Sequence, residues 1–431
     1  MSYSFTGGVT LPANRDRSMH KPLLDLSHVA AVRIPLGGSG IDYAPAVEVG
    51  QSVAMGQVIG KSALLSEFCL RASVSGVVTE ISDGILPDGR VAPCVVIEND
   101  GRDTLMPLSL PMDWQMMEPE AISARICEAG IVDRMGFPVF AMLDRLLGKA
   151  DTLIVNGIDG EVWVSSIYRT LCDEADDVVE GIHVLMRMFG RLRCIVAMPE
   201  EKGEAADTMR EAAATDNRIR FMPLRDKYPQ ADDRLLVRTI TGREGKDLAS
   251  ARCIVLGAPE TAAIGRALRD GMPDLARIVT VSGDAVANPH NIRARAGTSW
   301  AELVRACSGY LETPRLLLLG DVMRAMATFT DTISFMPGTP GFTALAAEAA
   351  EAPAQDCIRC GRCAQVCPYG LIPAFVHTVL GTGRTEKLAP LALDACTLCG
   401  ACAYVCPSHI RLVHDMRKAL EEREEPTDGQ Q

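Results

Sequence analysis

No stretch of this chain reaches the roughly 18 uninterrupted apolar residues that a membrane-spanning helix needs. Its longest candidates, "RLLLLGDVM" and "ARIVTV", are strand-sized. Direct insertion into a bilayer is therefore not expected, and any membrane contact must run through a partner. The opening "MSYSFTGGVTLPANRDRSMHK" lacks an apolar core of the signal-peptide kind, which points to the cytoplasm. Excess positive charge is missing too. Lys and Arg number 43 against 55 Asp and Glu, a net charge of −12. Nucleic acid is bound through clustered Lys and Arg, so it is excluded as a partner. Apolar material is ample: 431 residues, 48% hydrophobic and 23% charged, suit about three or four globular domains of about 100–150 residues each.

Fifteen cysteines would suit a disulfide scaffold if they were spread as one, but eight sit in two closing motifs. The other seven, Cys69, Cys94, Cys127, Cys172, Cys194, Cys253 and Cys307, stand singly among apolar residues. Cys194 in "RCIVAMP" and Cys253 in "RCIVLG" occupy strand-like runs, where a free thiol packs as a small hydrophobe. Leftover thiols of this kind fit a reducing compartment.

The closing motifs are "CIRCGRCAQVCP" at 357–368 and "CTLCGACAYVCP" at 396–407. In both, cysteines fall at i, i+3, i+6 and i+10, with proline next. Three closely spaced thiolates wrap a loop around three corners of a 4Fe–4S cube, and in two-cluster proteins of this pattern the fourth ligates the other cluster. The expected sets are Cys357, Cys360, Cys363 and Cys406 for one cluster, and Cys396, Cys399, Cys402 and Cys367 for the other. Gly361 and Gly400 fall where the backbone must fold tightly. Pro368 and Pro407 suit the first turn of a helix or a fixed turn. A pair of zinc sites needs only CxxC…CxxC; the third cysteine and the Cys-Pro ending, each occurring twice, favour iron–sulfur. His409 reads as a surface residue of the following helix, and the tail "ALEEREEPTDGQQ" as a solvated helix end that becomes disordered.

Upstream, "RIVTVSGDAVANPHNIRARAGTSWAELVRACSG" (277–309) reads as strands at 277–282 and 291–295 and then a helix capped by Thr298 or Ser299, with Glu302 in its first turn. A short sheet crossed by one helix is a β-grasp arrangement. Between 121 and 270, strands at "DTLIVNG", "RCIVAMP", "RIRFMPL" and "RCIVLG" alternate with helical stretches. The last reads as a strand, a loop at "GAPET" and a helix. Such alternation implies a parallel sheet with helices on both faces. Ligands on such sheets bind beyond the carboxyl ends of the strands, here around "NGIDGEVW" and "GAPET". Near the start, "PAVEVGQSVAMGQVIG" and "RASVSGVVTEI" pair short Val-rich strands with glycines, as in the flattened barrel of lipoyl and biotinyl carriers. A carrier needs a lysine at a hairpin tip, and Lys61 sits at a strand end.

Taken in order over about residues 3–412, these pieces resemble one family, RnfC, a component of the Rnf electron-transport complex. "FTGGVTLPAN" resembles its start, "TLIVNGIDGE" its strand ending in Asn-Gly with two acids, "KYPQADDRLLVRTITGRE" its Tyr-Pro-Gln stretch, and "VSGDAVANPHNIRARAGT" its β-grasp (SLBB) domain. The resemblance implies an α/β multidomain chain. Its parts are an N-terminal arm (1–30), a barrel-sandwich domain (31–100), a doubly wound Rossmann-like domain resembling the flavin subunit of complex I (121–272), an SLBB β-grasp domain (275–345), a two-cluster ferredoxin domain (350–412) and a helix end with an acidic tail (413–431). In the family the central domain takes electrons from NADH onto FMN and passes them to the clusters. The complex couples that chemistry to ion pumping. Implied partners are other redox subunits, among them membrane-bound Rnf-type subunits, a soluble flavoprotein or a ferredoxin, and the chain would lie on the inner face of the cell membrane through them.

The chain departs from the family around the flavin. The family loop "GIVGLGGAGFPT" is here "GIVDRMGFPVF" (130–140), two residues shorter, with Asp133, Arg134 and Met135 where glycines are expected. Glycines there bring N–H groups up to phosphate. Asp133 adds repulsion of about 4 kcal/mol for unit charges about 4 Å apart at an effective dielectric of about 20, which Arg134 would offset only by contacting a phosphate. Asp159 and Glu161 keep the acidic pair, but Val162 and Trp163 replace the Pro-Tyr after it, Ala231 and Asp232 replace two glycines, and "GAPET" (257–261) replaces Asn-Val-Gly-Thr. The expectation is an electron-transfer subunit whose central domain is mainly scaffold and has lost ordinary FMN and NADH binding. The alternative is an NADH-oxidising FMN subunit, with Asn156, Asp159 and Glu161 as first candidate contacts.

Overall fold

Four runs, Thr152–Asn156, Arg193–Pro199, Ile219–Leu224 and Cys253–Gly257, form a parallel sheet in a computed structural model of the chain. The structure describes residues 3–424 except 13, 27, 39, 66, 109–112, 161, 201–202, 214–215, 246 and 347–352, with backbone alone at 385 and 422–424. Across the sheet the order is Ile219–Leu224, Arg193–Pro199, Thr152–Asn156, Cys253–Gly257. Strand side chains point alternately to opposite faces, and here both faces are covered. Leu153 and Val155 enter one core with the helices Ala175–Phe189 and Ala258–Arg269. Ile154 enters the other core with Leu236 and Val237 of the helix Asp233–Thr241. Double burial is why these strands read as unbroken apolar runs rather than as alternating patterns. The two large helices touch through glycine: a methyl on Gly265 would lie 2.9 Å from the Gly181 nitrogen.

"GAPET" is not a loop. Cys253–Gly257 runs straight into the helix Ala258–Arg269, with Gly257 extended as its N-cap residue, a proline in its first two positions and Glu260 in the first turn. Pro259 presets the helical φ where no N–H partner is needed, so strand and helix join without spare residues. The chain leaves Thr152–Asn156 toward one neighbour and later returns to the other. This puts a crevice beyond Asn156 and Gly257, where doubly wound sheets bind ligands.

Two four-stranded sheets precede this unit. One orders Ala31–Pro35, Val91–Asn99, Gly76–Ile85 and Ser52–Val53, the other Gly37–Gly38, Ile41–Pro45, Val58–Ser62 and Cys69–Arg71. They close on Ile34, Ile59, Val74, Val95 and Ile97. Lys61 lies inside its strand, opposite Ala44 and Cys69.

The β-grasp unit holds the expected strands as Ala276–Ser282 and His290–Arg295. Its sheet has six strands, because Leu24–Asp25 of the arm joins one edge and Leu316–Leu319, Met326–Thr328 and Gly341–Leu345 lie on the other side. The helix Trp300–Ala306 lies over it, with the Trp300 ring stacked 5.3 Å from Phe342. Ser299 is the cap and forms a full capping box with Glu302. Beyond it come four helices, Arg362–Val366, Pro373–Gly381, Ala401–Tyr404 and Leu412–Glu424. Residues 425–431 of the tail lie outside the described residues. Among the described residues, no helix is long and apolar enough to cross a membrane.

Candidate functional site

The two closing phrases fold as the same device twice. Arg359 and Gly361 take φ of 55° and 76°, and Leu398 and Gly400 take 52° and 85°. Both pairs stand two and four residues after the first cysteine of their phrase. Each loop therefore turns twice through the left-handed region within three residues, a costly path for a non-glycine residue. Pro368 and Pro407 then sit in fixed turns, closed by Gly370 N–H to the Cys367 carbonyl and His409 N–H to the Cys406 carbonyl, both 3.2 Å. His409 has φ 53°, the position that Gly370 fills at 70°. It is thus a turn residue ahead of the helix Leu412–Glu424, not a residue of that helix.

Cys367 lies apart from the first three cysteines of its own phrase. Cys367 lines one small cavity together with Cys396, Cys399 and Cys402. Cys406 packs with Cys357 and Cys363, and also with Cys402, around Ile410 and Leu412. Burial pushes the Cys396 thiol up to about 11 and Cys402 to about 12, with neighbouring thiols, Cys367 among them, adding to the shift. Such thiols stay protonated unless iron takes their protons' place. An all-thiol set around a cavity suits a 4Fe–4S cube. Among the described residues, no three His, Cys, Asp or Glu side chains converge as on a single metal ion.

The Cys396 loop is pressed onto the central domain. The Tyr228 hydroxyl donates to the Cys399 carbonyl. Tyr369, two residues after Cys367, donates to Asp232 Oδ1 at 2.7 Å, and Arg238 donates to the Pro368 carbonyl at 2.7 Å. Arg234 and Arg238 each lie 5.5 Å from the Tyr369 ring. The N-terminal arm is threaded between: Gly8 N–H donates to the Val366 carbonyl at 2.7 Å, while Val9 and Tyr228 exchange two backbone bonds. The Cys357 loop faces outward, with Cys360 exposed and Ile358 68% exposed.

Beyond Asn156 and Gly257 opens a cleft of about 740 Å³, roofed by the barrel and the β-grasp unit. Several backbone donors around it are taken by the chain's own carboxylates. Asp133 Oδ1 accepts from the Met135 and Phe137 N–H groups at 2.8 and 3.0 Å, and its carbonyl accepts from Gly136. Asp159 accepts from Ile167 and Tyr168 at 2.8 and 2.9 Å, at the start of the helix Ser166–Asp173. Asp321 accepts from Trp163 and Val164 at 2.5 and 2.9 Å. Arg134 lines the cleft, with its guanidinium paired to Asp233 at 3.2 Å. Arg277, fully buried on the floor, pairs with Asp274 and Glu260.

Asn156 and Asp159 thus come together in the cleft, but their polar atoms serve the backbone. Asn156 donates to the Ala231 carbonyl at 3.0 Å and accepts from Ile158 N–H. Glu161 lies outside the described residues. Burial raises Asp159 to about 6, against the two N–H bonds that lower it. Asp321 and Arg324 also line the cleft, and neither is legible in the sequence as a site residue. Their partners lie 92 to 158 positions away, and no local pattern marks a charge whose mate is so remote.

Three family descriptions match: "RnfC Barrel sandwich hybrid domain" over residues 3–102, "Nuo51 FMN-binding domain" over 126–261 and "4Fe-4S dicluster domain" over 356–410. The RnfC-type component of the proton-translocating ferredoxin:NAD(+) oxidoreductase complex of Clostridium ljungdahlii is 30% identical, covering 79% of this chain and 76% of that protein. Its counterpart in the ion-translocating oxidoreductase complex of Rhodobacter capsulatus is 32% identical over 91% of this chain and 78% of its own. An NAD+-reducing [NiFe]-hydrogenase in the H2-reduced state is similar in structure at 16% identity and a TM-score of 0.49, covering 74% of this chain and 66% of that one.

Proposed function

The chain belongs to the RnfC family, and from that premise we propose that it relays electrons between partner redox proteins through two 4Fe–4S clusters. The observation that supports the reading is that Cys367 lines one cavity with Cys396, Cys399 and Cys402. Each cluster, when bound, accepts and passes on one electron. Cys357, Cys360, Cys363 and Cys406 hold the outer one. Cys396, Cys399, Cys402 and Cys367 hold the inner one against the central domain. The domain limits read from the sequence, from the arm at 1–30 to the ferredoxin domain at 350–412, are part of this proposal.

The outer loop is where a partner would dock. Arg359 and Arg362 are exposed beside Ile358 and Cys360 on a chain of net charge −12, so an acidic carrier would meet its complement there. The relatives named above belong to ion-translocating complexes. By analogy this chain works at the cytoplasmic face of a membrane assembly, held by partners rather than by a span of its own.

The central domain is scaffold in this reading. A phosphate entering the cleft would find the N–H groups of residues 135–137 and 163–164 spent on Asp133 and Asp321, and restoring glycines in one loop would free only the first set. The NADH-oxidising alternative is favoured by one observation, a cleft of about 740 Å³ within a unit matching an FMN-binding domain. Titration calorimetry with FMN and with NADH decides between them. The scaffold reading expects no saturable heat from either. Stoichiometric FMN binding, or NADH bleaching the clusters with no partner present, moves electron entry into this chain.

A further inference from the structure

Arg324 belongs to neither cluster phrase, yet it stands where the inner cluster meets the cleft. It lines the cleft, and its Nη2 lies 3.2 Å from the Thr397 hydroxyl, one residue past Cys396. The same nitrogen is 3.1 Å from Asp232 Oδ2, while Asp232 Oδ1 takes the Tyr369 hydroxyl on the Cys367 side. One cation and one anion therefore sit between the central domain and the inner set of thiols and touch both arms of it. Arg324 is 27% exposed at its side chain and Asp232 only 7%, so solvent screens the pair weakly.

We propose that Arg324 sets the reduction potential of the cluster held by Cys367, Cys396, Cys399 and Cys402, and that Asp232 trims its effect. The proposal rests on the electron-relay reading. A one-electron reduction adds a negative charge to the cluster and moves no proton. A fixed cation beside the ligands favours the reduced form, and a fixed anion opposes it. Arg324 is a positioning charge: it tunes the inner relay point from the side that faces the cleft.

The test is iron and sulfide analysis with an EPR-monitored redox titration of the full chain. The variants are Arg324→Gln, Arg324→Lys and Asp232→Asn. In Arg324→Gln the reduction equilibrium constant of one cluster should fall about tenfold, a potential about 59 mV more negative for one electron. Asp232→Asn should move the same cluster the opposite way, Arg324→Lys should stay near wild type, and the second cluster should not move. A purely structural clamp predicts otherwise. Lys cannot reproduce the guanidinium fork, so Arg324→Lys would then fail as Gln does. Shifts of one sign in Arg324→Gln and Asp232→Asn, no shift, equal shifts in both clusters, or loss of half the iron in the Lys variant would overturn the proposal. Wild-type protein with fewer than eight irons would sink the relay reading itself, and this inference with it.

Discussion

Asp159 carries a negative charge in the interior at some cost. Its carboxyl is raised to about 6 by burial, despite two N–H donors from the start of a helix. An acid whose folded value exceeds its unfolded value stabilises the fold while protonated and loses that contribution as pH rises. Stability should therefore fall between about pH 4 and 6, by about 3 kcal/mol from this group alone. Asp159→Asn should flatten that slope, read as a wild-type minus variant thermal midpoint that changes across pH 4–6 and is constant above pH 7. An unchanged slope would mean the carboxyl titrates normally. Asp133 works differently, since its carboxylate organises the turn at 133–137. Asp133→Ala should remove the bonds to the Met135 and Phe137 N–H groups and destabilise the chain by about 1 kcal/mol, measured by denaturant unfolding, without creating FMN affinity.

At the scale of elements, the duplicated cysteine loops make the sharpest case. Cys367→Ala should halve the iron and remove the cluster of the Cys396 loop, leaving that of the Cys357 loop. Loss of the other cluster, followed by EPR, would show local rather than crossed ligation. Ser299→Ala should cost the β-grasp unit about 1 kcal/mol through its lost capping box, seen as a lower unfolding midpoint. These elements are legible because their signals are local: cysteine spacing, Ser299 three residues before Glu302, apolar runs bounded by glycine. The "GAPET" stretch reads as a loop because Gly and Pro usually punctuate, whereas here they form the joint between strand and helix. The β-grasp edges are not legible at all. Leu24–Asp25 pairs with Ile292–Arg293, and nothing in a two-residue strand announces a partner so far along the chain.

For the whole molecule, purified anaerobic protein should hold eight irons and about eight acid-labile sulfides; four, or zinc instead, would end the relay reading. Electron transfer to an acidic carrier should slow with salt, and Arg359→Glu with Arg362→Glu should slow it further at low ionic strength while leaving the potential of the inner cluster unchanged. Insensitivity to both would place docking elsewhere. The order of units can be read along the sequence. The state of the cleft cannot, because it depends on carboxylates from three separate segments, around 133, 159 and 321, and the donors that Asp321 takes at 163 and 164 are brought near only by the fold.

The arm wedged at Gly7 and Gly8 has a consequence for how the chain is made. Residues 3–9 lie along the strand edge at 223–228, yet their other side meets Val366 and Cys367. At about 5–20 residues per second, the ribosome delivers that second surface on the order of tens of seconds after the first. The arm must therefore wait, seated along one edge with the other open, until the last domain emerges and closes onto it. A methyl on Gly7 would lie 2.9 Å from the Val366 carbonyl, and its φ of 85° already disfavours a side chain. Gly7→Val should leave the earlier domains folded while the late one fails to seat. Newly made protein should then lose its late domain to protease and be poor in iron, an error of timing made at Gly7 and read out far along the chain.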